Sequence, residues 1–92
     1  MKKTQLLNAP LSHAVALMGH TDGLCIADAG LPIPKETPRI DLAVSPGLPG
    51  FLDVLNAVLE ELIVERVFLA DEIQEHNSEL HQSIIGKVGE VN

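Results

Sequence analysis

An α/β fold, small and layered, with short, mostly parallel strands and packed helices, is what this sequence predicts. Three observations lead there. Apolar patterns of helical and strand type alternate along the chain in the order helix, strand, loop, strand, helix, strand, helix. Glycine and proline fence the shorter apolar runs. A broad helical face follows the turn cluster of residues 45–50. Two or three strands are few for such a sheet, so the sheet is expected to be incomplete in this chain.

The first helix is predicted from Leu7, Leu11, Val15 and Met18, spaced four, four and three apart. Asn8 is a candidate N-cap, Pro10 is tolerated in a first turn, and Gly19 is expected to end the helix in the usual glycine manner. Residues 24–27 form a short apolar run between Gly23 and Gly30 and read as a strand. Three prolines in residues 31–38 predict an extended, stiff loop. Ile40, Leu42 and Val44 alternate with Asp41 and Ala43, the pattern of a second strand or extended edge.

Phe51, Leu52, Leu55, Val58, Leu59 and Leu62 then make the clearest helical face. Residues 63–70, with Val64, Val67, Phe68 and Leu69, read as a third strand or a continuation of that helix. Asn77 and Ser78 can cap a last helix with Leu80, Ile84 and Val88 on one side. Gly86 and Gly89 each weaken that helix by about 1 kcal/mol relative to Ala.

Composition narrows the function classes. Ninety-two residues are enough for one small domain. There is no Trp or Tyr, and Phe51 and Phe68 are the only aromatics, so stacking of bases or sugar rings on aromatic faces is nearly excluded. The net charge is −7 and the basic residues are scattered, which disfavours nucleic acid. The acidic run from Glu60 to Glu79 reads as a solvated surface. No run approaches the ~18 apolar residues of a membrane span, and the N-terminus lacks a signal-peptide core. With Cys25 as the only cysteine, a reducing, cytoplasmic location is expected.

The chemistry concentrates between Gly19 and Pro34. His20 lies between helix and strand, where an imidazole with an unperturbed pKa of about 6.5 can give or take a proton. Asp28 stands at the far end of the first predicted strand, a position suited to binding hydroxyls. Against these stand plainer readings: His20 as an exposed turn residue, and Asp22 as a turn-former bonding its neighbours' backbone. Cys25 is expected to be buried and inert. His13, His76 and His81 are taken as surface residues, and no metal motif is present. Neither a dinucleotide fingerprint nor a Walker loop occurs.

Gly19-His20-Thr21-Asp22, residues 28–34 (Asp-Ala-Gly-Leu-Pro-Ile-Pro) and Arg39-Ile40-Asp41-Leu42-Ala43 together resemble the ribose pyranase / fucose mutarotase superfamily, in its ribose branch. Gly47-Leu48-Pro49, Phe51-Leu52, Val64-Glu65, residues 70–73 (Ala-Asp-Glu-Ile) and Asn77-Ser78-Glu79-Leu80-His81 extend the likeness over nearly the whole chain. The resemblance implies a cytoplasmic isomerase that interconverts the β-pyranose and β-furanose forms of D-ribose without a cofactor. It implies that His20 is the proton donor and that Asp28 binds the sugar. It also implies an α/β fold and assembly into a homodecamer. Members of that superfamily continue further, with a Tyr-Ala-Asn type segment that contacts sugar. Residues 1–92 are therefore expected to be a single pyranase-like domain truncated at its C-terminal side. The alternative is a non-catalytic sugar-binding or oligomer-assembly module.

Overall fold

The computed structural model describes residues 1–91. Helices follow in the order α1 (Ala9–Leu17), α2 (Phe51–Glu61), α3 (Glu72–His76) and α4 (Ser78–Val91), with α4 packed on both α2 and α3. The expected layered α/β fold is absent. Among the described residues there is no sheet, and the one β-bridge joins Ser45 to Leu48 across a turn.

Why the three predicted strands fail to pair is visible in their side chains. Leu24 and Ile26 are half-buried on either side of an exposed Cys25, and Ile40 and Leu42 flank an exposed Asp41 in the same way. Leu62 and Val64 repeat the pattern around Ile63. All six inward side chains pack against the helical core. Alternation records which face of a segment is buried; it does not supply a neighbour for the backbone. Among the described residues these segments pack on the helices without pairing with one another, so the period-two signal is present and a ladder between them is not.

Local helix signals hold well. Asn8 caps α1, its Oδ1 accepting the Leu11 N–H at 2.9 Å, with Pro10 in the first turn. Past Leu17 the backbone turns extended at Met18, whose N–H donates to the Val15 carbonyl at 3.2 Å. Gly19 does not adopt the left-handed conformation expected of a terminating glycine. Among the described residues only Gly47 has a positive φ, at 79°. Pro46 and Gly47 there occupy the centre of a tight turn closed by Leu48 N–H on Ser45 O at 2.9 Å, the arrangement in which proline followed by glycine is favoured.

One core position differs from the periodic expectation. Leu7 is 63% exposed, whereas its neighbour Leu6 is 3% exposed. Helical spacing stops at the cap: Leu7 precedes Asn8, so its direction is not set by the helix, and Leu6 turns inward beside Leu11 and Val58.

In α2 the face predicted by spacing is the one buried, with Leu55, Val58 and Leu59 inside. Gly50 begins the helix, and the Asp53 carboxylate accepts the Gly50 N–H at 3.1 Å, where its negative charge also suits the helix start. Residues 63–70 neither extend α2 nor form a strand. The short α3 has no counterpart among the predicted elements. Asn77 caps α4 through its Oδ1 on the Leu80 N–H at 3.1 Å, and Ile84, 2% exposed, joins Leu55 and Leu59 with Leu80 and Val88 alongside. Gly86 and Gly89 are carried inside the helix.

The accessible surface is 7485 Å². A folded monomer of 9.9 kDa is expected to expose about 5,200 Å². Ile63 and Phe68, 89% and 83% exposed, account for part of the excess, with Val44 and Leu17. A small helical core is thus surrounded by apolar chain that it does not cover.

Candidate functional site

His20 is displayed by a closed turn. The Asp22 N–H donates to the Gly19 carbonyl at 3.2 Å, and the Gly19 N–H donates back to Asp22 Oδ2 at 2.7 Å. This is the turn-forming role expected of Asp22 as its plainer reading, with one carboxylate oxygen engaged locally. His20 occupies the turn itself, between those two residues, with its ring projecting into solvent.

The ring has a carboxylate partner, but it is not Asp28. Nδ1 of His20 lies 2.9 Å from Oε1 of Glu65, with the two side chains 81% and 60% exposed. An ionised carboxylate can only accept, so the proton between them belongs to Nδ1. That leaves Nε2 as the free ring nitrogen. Glu65 comes from the segment after α2, between the inward Val64 and the exposed Arg66. By sequence, Glu65 lies within the acidic run that reads as a solvated surface. Forty-five positions separate the pair, and no spacing rule links them.

Asp28 forms its own local turn. Its Oδ1 accepts the Gly30 N–H at 2.9 Å, and the Leu31 N–H approaches the Asp28 carbonyl at 3.5 Å. No hydrogen bond or ion pair joins His20 to Asp28 among the described residues. Oδ2 of Asp28 makes no further hydrogen bond there, so one oxygen of an exposed carboxylate stays available to a polar ligand.

An open groove of about 430 Å³ runs along α1, and neither His20 nor Asp28 lines it. Lys2 crosses this groove, donating to Ser12 Oγ at 2.8 Å and lying 3.7 Å from Glu61. His13 also lines it, with no hydrogen bond or ion pair of its side chain among the described residues. Cys25, expected to be buried, is exposed, because the alternation that turns Leu24 and Ile26 inward turns the thiol out. Of the other histidines, His13 and His76 are exposed and His81 is half-buried, 3.5 Å from the Gln74 amide. Among the described residues, no three His, Cys, Asp or Glu side chains gather as metal ligands would. No helix among them is long and apolar enough to cross a membrane.

Comparison with known proteins adds what the geometry alone does not. The family model described as the RbsD / FucU transport protein family matches residues 1–92. A protein named D-ribose pyranase from Pasteurella multocida is 50% identical over 91 residues, covering 99% of this chain and 66% of the relative. Another of that name from Glaesserella parasuis is 56% identical over 85 residues, 92% of this chain and 61% of its own length. A third, from Photobacterium profundum, is 52% identical over 88 residues, 96% of this chain and 63% of the relative. The chain thus spans a little under two thirds of the curated relatives it matches. No solved structure gives a match.

Proposed function

This chain belongs to the RbsD / FucU transport protein family, and on that premise we propose that it carries out, or carries part of the machinery for, interconversion of the β-pyranose and β-furanose forms of D-ribose. The reaction is ring opening to the aldehyde and reclosure through a different hydroxyl. His20, as imidazolium, gives a proton to the ring oxygen while the bond from that oxygen to the anomeric carbon breaks. The proton of the anomeric hydroxyl passes to water, leaving the aldehyde. On reclosure the neutral imidazole takes the proton of the attacking hydroxyl, and the aldehyde oxygen regains one from solvent. Asp28 accepts hydrogen bonds from sugar hydroxyls through its available oxygen. A positioned acid–base group of this kind is worth about 10²–10⁴-fold in rate.

The observation that carries the reading is an accessible imidazole, held on a closed turn and partnered through one nitrogen, in a chain at least 50% identical to proteins named D-ribose pyranase. No redox group or bound metal is needed for this chemistry. A cytoplasmic site of action and assembly with further copies of the chain belong to the same proposal. The exposed Ile63 and Phe68 support assembly, because apolar surface of that kind is normally covered.

Magnetisation exchange between ribose ring forms, followed by NMR, tests the reaction. His20→Ala is expected to lower the exchange rate at least a hundredfold toward the solvent-catalysed value. Equal rates in two folded proteins would remove His20 from the mechanism. The excess apolar surface favours a second reading, a sugar-binding or assembly module without turnover. Ribose titration by calorimetry separates the two: heat of binding without faster exchange selects the module.

A further inference from the structure

We propose that Glu65 is a positioning residue for His20, fixing which ring nitrogen meets the sugar. The inference rests on His20 being the acid–base group. Three observations carry it. The 2.9 Å contact engages Nδ1 and leaves Nε2 as the only ring atom open to a ligand. Both partners stand on anchored backbone: His20 on the turn closed between Gly19 and Asp22, Glu65 beside Val64, which packs against the core cluster of Leu55, Leu59 and Ile84. And among the described residues no other carboxylate bonds the ring, Asp22 and Asp28 each turning one oxygen to a backbone N–H of its own turn instead.

The consequence is chemical. A neutral imidazole left to itself favours the proton on Nε2. A carboxylate at Nδ1 reverses that preference, so the neutral ring presents a lone pair at Nε2 and the charged ring presents an N–H at the same atom. Proton removal and proton delivery then occur at one point in space. A carboxylate orienting a histidine through Nδ1 in this way is known to matter through the ring form it enforces.

The test reads His20 directly. Its imidazole ¹⁵N resonances, identified among the four histidines by their loss in His20→Gln, are followed up a pH series to the alkaline plateau at which they stop moving, and the ring form is read there. The Nδ1–H form is expected to dominate in the parent chain. It should give way to Nε2–H in Glu65→Ala and persist in Glu65→Gln, whose amide oxygen still accepts. Ring exchange of ribose should fall about tenfold in Glu65→Ala through kcat, with KM little changed, and recover most of that loss in Glu65→Gln.

A parent ring already in the Nε2–H form, or one unchanged by Glu65→Ala, overturns the proposal whatever the activity. So does a shifted ring with unchanged exchange when His20→Ala is inactive. Full exchange activity in His20→Ala instead sinks the acid–base reading itself, while the nitrogen spectra still report on the pair. Circular dichroism confirms folding; both side chains are exposed, so neither substitution opens the core.

Discussion

The stretch from Gly50 to Asp71 contains two segments of similar composition with opposite fates. Phe51–Glu61 folds as α2 and buries Leu55, Val58 and Leu59, whereas residues 62–70, equally apolar, leave Ile63 and Phe68 in solvent. The two phenylalanines of the chain make the point. Phe51 is half-buried against the cluster of Leu55, Leu59 and Ile84, and Phe68 is 83% exposed. A helix satisfies its backbone within itself, so an apolar stripe can dock without further help. A strand-like segment must find its hydrogen bonds elsewhere, and apolar residues alone do not supply them. Hydrophobicity of a segment is therefore a poor guide to its burial unless its backbone is also provided for.

The largest effects should separate these two segments. Ile84→Ala, at the junction of α2 and α4, is expected to cost about 2–4 kcal/mol in urea unfolding. Phe68→Ala should move stability by less than about 0.5 kcal/mol. Equal costs for the two would break the comparison, by showing that Phe68 is covered in solution. Asn8→Ala should cost about 1 kcal/mol, since it orphans the Leu11 N–H at the start of α1. A loss much under that value would mean that α1 is held by Leu6 and Leu11 rather than by its cap. The finest discrimination comes from amide hydrogen exchange. Amides inside α2 and α4 should be protected, while residues 24–27 and 66–69 exchange nearly as freely as open chain. Slow exchange in either segment would reveal a pairing partner and sharpen the comparison toward assembly.

The site followed the same division as the fold. Asp22 was legible as a turn residue because its partner, the Gly19 N–H, is three positions away. The Asn8 and Asn77 caps were legible for the same reason, as was the face of Leu80, Ile84 and Val88. Glu65 was not, since an acidic residue in an acidic run has nothing local to distinguish it. The exposure of Cys25 was not legible either, because its apolar neighbours in sequence, Leu24 and Ile26, point to the other side of the segment. The predicted α/β sheet failed on the same ground: residues 24–27, 40–44 and 63–70 carry side-chain patterns suited to strands, and pairing is decided between segments.

By itself, then, the amino-acid order determined three of the helices, the Asn8 and Asn77 caps, the buried faces of α2 and α4, the turn that displays His20, and the likeness to the RbsD / FucU family. Each of these depends on interactions spanning a few residues. Only the tertiary structure decided that the strand-like segments pack on helices and not on one another, that Leu6 rather than Leu7 enters the core, and that the imidazole meets Glu65 instead of Asp28. Those outcomes join residues tens of positions apart, where the free energy depends on geometry that no local pattern encodes.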